Sequence, residues 1–195
     1  YKLFFDKIVK TDSGKRLIEN IDKVHNADFS VIVYNFLDIL SHARTETQII
    51  RDLAEDEAAF RSLTRSWFEH SDLLELMRLL AERGHTIIIT SDHGTIQVDN
   101  PVRVQGDRAT SSNLRYKTGR NLGFNQKEVF AITKPELAHL PKSNITSTYI
   151  FAYNRDFFVY PNNTNQFVRY YNNTFQHGGI SMEEMIVPFL VLKPR

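Results

Sequence analysis

Cysteine is absent from the 195 residues, so neither a disulfide framework nor a thiolate metal site can exist, and any metal must be held by histidine and carboxylate. Long apolar runs are missing as well. No stretch reaches the ~18 residues of a membrane span, and no basic-then-apolar leader precedes a cleavage site, so the expectation is a cytoplasmic protein with no membrane span. An excess of one charge is also lacking: 24 Lys and Arg face 23 Asp and Glu, a net charge of +1 that excludes a generally basic nucleic-acid coat and leaves only local patches. Neither G-x-G-x-x-G nor G-x-x-x-x-G-K-[ST] occurs, which leaves nucleotide binding by those two devices unsupported. The first residue is Tyr rather than Met, so the chain is expected to be a C-terminal fragment of a longer protein. With 42% hydrophobic residues it can bury a sizeable core, and the simplest expectation is one domain over residues 1–195.

What is present is organised around residues 87–94, where Ile87, Ile88 and Ile89 run into Thr90-Ser91-Asp92-His93-Gly94. An unbroken β-branched run predicts a short strand at 86–90, buried on both faces of a parallel sheet. A second apolar run, 29–36 (FSVIVYNF), predicts another central strand. Helical spacing of Leu17, Ile18, Ile21 and Val24 predicts a helix over 11–25, with Thr11, Asp12 and Ser13 as possible N-caps. Residues 45–60 form an acidic helix face, and Leu73, Leu74, Met77 and Leu80 mark an amphipathic helix over 71–83 that Gly84 stops. Strand, helices, strand is a right-handed crossover, so the expected fold is α/β with a parallel-sheet core and flanking helices.

In such sheets ligands bind beyond the carboxyl ends of strands. Asp92 and His93 stand there, and Gly94 permits a turn that brings the two together. Asp38 and His42, four residues apart just after the other strand, share a face once a helical turn has begun. His177 precedes Gly178 and Gly179, which allow tight folding toward a neighbouring strand end. Asp oxygen and imidazole nitrogen suit a zinc-like divalent cation. His25, His70, His85 and His139 are expected to be ordinary residues without companions.

Residues 95–124 change character: Arg103, Arg108, Arg115, Lys117 and Arg120 outnumber Asp99 and Asp107, which reads as an inserted basic loop or small β region over about 99–125. Short strands are expected within 128–133 and 148–160, followed by an Asn-rich segment at 162–173. The triplets at Asn144, Asn162 and Asn172 carry no glycosylation expectation without a secretory signal. Ser181 and Glu184 fit a capping box, and 185–192 predicts a strand at a sheet edge, since Pro188 cannot donate.

The blocks NFLDILSHAR (35–44), TSDHGTIQV (90–98) and QHGGISMEEMIVPF (176–189) resemble the PglZ domain of the alkaline phosphatase superfamily, most closely the C-terminal domain of PorX-type response regulators. The resemblance implies an alkaline phosphatase-like fold with two zinc ions, Asp38, His42 and His177 on one, Asp92 and His93 on the other. It implies a phosphodiesterase or phosphatase, the output domain of a signalling protein with receiver and linker domains upstream. The family's nucleophilic Thr or Ser and its companion Asp have no match before residue 35, so the nucleophile is expected upstream; Thr110, Ser111 and Ser112 are the fallback within the chain. Arg103, Arg115, Lys117 and Arg120 are expected to grip an extended phosphodiester such as a nucleotide or oligonucleotide. The alternative is a metal-stabilised interaction module that serves dimerisation, with a homodimer as partner, and turns nothing over.

Overall fold

The computed structural model describes residues 1–9, 11–107, 110–142 and 144–194, with Thr11 by its backbone alone, so the Thr11 cap and Arg108 lie outside the described groups. Two compact units are present, Tyr1–Thr90 with Pro188–Arg195, and Ser91–Val187. The first contains β1 (Leu3–Ile8), α1 (Thr11–Glu19), α2 (Ile21–His25), β2 (Phe29–Tyr34), α3 (Phe36–Glu46), α4 (Gln48–Leu53), α5 (Glu57–Glu69), α6 (Asp72–Glu82) and β3 (Ile87–Thr90). The second contains β4 (Ile96–Val98), β5 (Asn100–Arg103), β6 (Tyr116–Arg120), β7 (Val129–Ile132), β8 (Ser147–Ala152), β9 (Asp156–Val159), α7 (Thr164–Tyr171), β10 (Thr174–Gln176) and α8 (Met182–Met185). The last strand, β11 (Phe189–Leu192), belongs to the first unit.

In the first unit β1 and β2 run parallel, Leu3 opposite Phe29 through Ile8 opposite Tyr34. Alternation turns Phe4, Ile8, Ile32 and Tyr34 to one face, where they meet Leu17, Ile21 and Val24 of the first two helices and Leu76 and Leu80 of α6. The predicted 11–25 helix is two helices, because Asn20 interrupts it and its side-chain amide donates to the Arg16 carbonyl at 2.8 Å. Asp56 caps α5 by accepting from Ala59 N–H, and Ser71 caps α6 by accepting from Leu74 N–H. The end of α6 is closed by Gly84 N–H to the Ala81 carbonyl and His85 N–H to the Leu80 carbonyl.

The mixed α/β character agrees with expectation, but the single parallel sheet does not form among the described residues. β3 pairs antiparallel with β11, Ile87 opposite Leu192 through Thr90 opposite Phe189. With one partner each, β2 and β3 are not buried on both faces: Phe29 and Ile88 are exposed, as are all four residues of β11.

The second unit is built from small sheets, β10 antiparallel to β4, β5 parallel to β9, and β6-β8-β7 antiparallel. Strand β9 divides its core: Phe158 packs with Val102, Val104, Val129 and Ile150, and its neighbour Phe157 packs with Ile96, Val98 and Leu114. The predicted basic loop at about 99–125 therefore contains two strands, β5 and β6, whose partners lie later in the chain. The Asn-rich segment contains α7, whose Phe167, Val168 and Tyr171 cover the Phe157 cluster. No helix among the described residues is long and apolar enough to cross a membrane.

Candidate metal centre

In the first unit the chain leaves β2 through Asn35 and enters α3, so Asp38 and His42 sit one helical turn apart, as their spacing predicts. Asp38 Oδ1 lies 3.5 Å from His42 Nε2, with both side chains accessible, and Asn35 Nδ2 approaches Asp38 Oδ2 at 3.4 Å. The helix is braced on either side of this pair. Phe36 stacks on Trp67 with centroids 4.1 Å apart, and buried Arg44 donates to the Ala54 and Glu55 carbonyls just past α4. Sequence reasoning gave Arg44 no role, although an Arg ending a histidine-bearing helix motif is a signal of its own.

In the second unit His93 and His177 come together. Their rings stack 3.7 Å apart between centroids and 7° from parallel. His93 Nδ1 is 3.0 Å from the Gly94 carbonyl, which can only accept, so this contact puts a proton on Nδ1, and in the neutral ring Nε2 keeps its lone pair. That is the tautomer a metal-ligating imidazole needs, held by the backbone contact such ligands use. Asp92 is exposed, accepts from His93 N–H at 3.1 Å, and lies 3.7 Å from His93 Nε2. Donor chemistry and tautomer both fit a divalent cation of the zinc type.

Glycine is required here for two different reasons. A Cβ on Gly94 would run into the Glu183 carbonyl oxygen, so the Asp-His-Gly segment passes α8 at a distance only glycine allows. Gly178 has φ +101°, the left-handed region that L side chains avoid, and this lets the chain turn directly behind His177. The capping box at Ser181 and Glu184 is present, with Ser181 N–H donating to Glu184 Oε2 at 3.2 Å.

Two of the four expected phosphate-gripping residues are corrected. Arg115 and Lys117 are buried, with 0% and 1% of their surface exposed, and neither can reach a ligand from solvent. Arg115 forms a fork with Glu184, Nε to Oε1 and Nη2 to Oε2, both at 2.8 Å, and spends Nη1 on the Tyr153 and Asp156 carbonyls. Burial pushes the Glu184 carboxyl up, but the Arg115 hydrogen bonds and charge, with Ser181 and Gly179, outweigh it and hold the carboxyl below its ordinary range. The run looks like a basic patch only in one dimension, since alternation along β6 turns Lys117 inward. Arg103 and Arg120 remain exposed, Arg120 donating to Asn144 Oδ1 at 2.7 Å.

Lys117 Nζ donates to the Ser111 carbonyl at 2.9 Å and lies 4.9 Å from the Tyr160 ring centroid, and burial lowers its pKa from 10.5 to about 8. Below that value the folded protein carries a buried charge that the unfolded chain holds in water. Between about 8 and 10.5 the unfolded state binds the extra proton, so stability rises with pH by about 1.4 kcal/mol per unit at most. Denaturant titrations of wild type and Lys117→Met from pH 7 to 10 are expected to show the wild type gaining on the variant above pH 8. A difference that does not change with pH would refute the buried charge.

Of the fallback nucleophiles Thr110, Ser111 and Ser112, the first two are engaged: Ser111 Oγ accepts from Thr118 N–H at 3.0 Å, and Thr110 Oγ1 donates to Asp107 Oδ1 at 3.4 Å. The expectation that His25 and His85 lack companions is overturned, since His25 Nδ1 and His85 Nε2 are 2.7 Å apart. His70 is ordinary, its Nδ1 donating to the Ser66 carbonyl.

No curated protein matches the chain. Residues 4–192, nearly all of it, match the BREX system PglZ alkaline phosphatase-like domain, and the protein belongs to that family.

Proposed function

We propose that this chain is a zinc-dependent phosphoesterase that cleaves phosphodiesters of the nucleotide or oligonucleotide class, and that it serves as the output domain of a PorX-type signalling protein. The observation that carries the proposal is the stacked His93 and His177 pair, with His93 Nε2 left as a donor, in a chain of an alkaline phosphatase-like family. The proposed ligands are Asp38, His42, Asp92, His93 and His177, and ligand nitrogens of His93 and His177 within 4.8 Å of each other support these two on one ion, in place of a division that separates them. Divalent cations held by these residues would supply charge to the attacking and leaving oxygens of a displacement at phosphorus. The protein's own part is to present unprotonated donors: the Gly94 carbonyl holds the His93 proton on Nδ1. The nucleophilic Thr or Ser is placed outside these residues, because no matching block stands among them. Arg103 and Arg120 are the proposed contacts for a second phosphate, supported by their exposure.

Elemental analysis is expected to find one or two zinc ions per chain. Turnover of a small aryl phosphodiester is expected to be slow in the 195-residue chain and restored by the preceding segment. In that restored protein, Arg103→Ala with Arg120→Ala raises KM for an oligonucleotide and leaves the small ester unaffected. A chain that binds no zinc overturns the proposal, and full activity of the 195 residues overturns the placement of the nucleophile. The second function, a metal-stabilised dimerisation module, is supported by exposed Leu3, Phe5, Phe29 and Phe189. It requires zinc without turnover even after the preceding segment is restored.

A further inference from the structure

We infer that Glu184 is the positioning residue of the histidine pair, setting the spacing of both rings from one buried carboxylate and one carbonyl; its bearing on metal binding rests on the function proposed above. Glu184 is 3% exposed and lies in α8, a single helical turn. Its Oε1 accepts Gly179 N–H at 2.8 Å, two residues past His177. Its own carbonyl accepts Gly94 N–H at 2.8 Å, one residue past His93. One residue therefore fastens both histidine-bearing segments, which are more than eighty positions apart in sequence.

The fastening is tied to the sheets rather than to the short helix that carries it. The Arg115 fork fixes both carboxylate oxygens, and the same guanidinium donates to the Tyr153 and Asp156 carbonyls at the β8–β9 connection. A second tie closes the circuit: Asn113 Nδ2 donates to the His177 carbonyl at 3.2 Å, while Asn113 Oδ1 accepts Arg115 N–H at 2.7 Å and Tyr116 N–H at 3.1 Å. His177 is held through Gly179 and Asn113, both leading to Arg115, and His93 through Gly94. Ligand nitrogens tolerate displacements of only about 0.5 Å before affinity is lost, so small shifts at Glu184 reach the metal. Catalytic contact is not part of this role, because a carboxylate whose two oxygens already accept from Arg115, Gly179 and Ser181 has no free approach to a substrate.

The test compares wild type with Glu184→Gln. Glutamine keeps the shape, but its NH2 must face a donor where an oxygen now accepts, so at least one arm of the fastening is lost. Two quantities are measured at a temperature where circular dichroism shows each protein folded. Zinc affinity, read by chelator competition, is expected to fall at least about tenfold. In the metal-free chain, the ring-proton shifts of His93 and His177, displaced by stacking, are expected to move toward their unstacked values. Val104→Ala, a truncation in the core of the same unit, lowers stability but leaves both quantities unchanged. Glu184→Asp, which keeps the charge and shortens the reach, gives intermediate effects on both and carries the test should Glu184→Gln not fold. If wild type binds no zinc, the proposed function fails, and the ring shifts alone decide the positioning role. Glu184 variants with wild-type ring shifts, or ring shifts that move equally in Val104→Ala, overturn the inference.

Discussion

Arg115→Ala is expected to lower the unfolding free energy by about 3–5 kcal/mol, the range found when one partner of a buried ion pair is removed. The magnitude comes from what is left behind. Arg115 and Glu184 are 0% and 3% exposed, so the carboxylate would stay buried with only the Gly179 and Ser181 N–H groups facing it, and the Tyr153 and Asp156 carbonyls would lose their donor. Urea unfolding at neutral pH should show a lower midpoint with an unchanged slope. The double change Arg115→Met with Glu184→Gln should cost less than Arg115→Ala alone, because no unpaired charge remains. Acidification supplies the sign. With Arg115 present the carboxyl titrates below its unfolded value, so its stabilisation is complete above the unfolded pKa and disappears as pH falls through the folded one. Without Arg115 burial is opposed by the Gly179 and Ser181 contacts alone, so the carboxyl titrates higher than in the wild type and the gap between wild type and variant should narrow in acid. A loss under about 1 kcal/mol, the worth of an exposed pair, would mean that the pair is hydrated.

Local signals were legible where a residue acts on near neighbours. The periodicity of Leu17, Ile21 and Val24, the Asp38 and His42 spacing and the Ser181 to Glu184 capping box all depend on separations of three or four residues, and all appear in the fold. Strand pairing is a different matter. Nothing near Ile87–Thr90 in sequence announces that its ladder partner is Phe189–Leu192, so a strand buried in a parallel sheet was expected where, among the described residues, an antiparallel pair with an exposed Ile88 forms. The same limit applies to charge. Arg115 looks like a member of a solvated basic run until Glu184, 69 positions away, is set against it. Lys117 looks solvated until the β6-β8-β7 sheet forms around it. In the candidate site the residue types and their placement after strands were visible, whereas the stack of His93 on His177 joins two blocks, 90–98 and 176–189, that no short motif connects.

Loss of metal on changing His177 is the other large effect expected. His177→Ala and His93→Ala should each lower bound zinc by the same ion, and the double variant should remove little more than either single one. The reason is spacing: ligand nitrogens of the two rings lie within 4.8 Å of each other, and removal of either leaves too few donors for a tetrahedral ion. Stability offers a second measurement. Zinc that binds only the folded chain adds about 2.7 kcal/mol at a hundred times its dissociation constant, so a chelator should lower the melting temperature of the wild type more than that of either variant. His42→Ala is a separate arm, since its ring pairs with Asp38 on α3 and is not part of the stack. If His177→Ala and His93→Ala instead remove different ions, with additive losses, the stacked rings do not share a metal. Equal zinc in wild type and both variants would mean that the stacked rings bind no metal, and their contact would then be a packing contact between two loops fastened by Glu184.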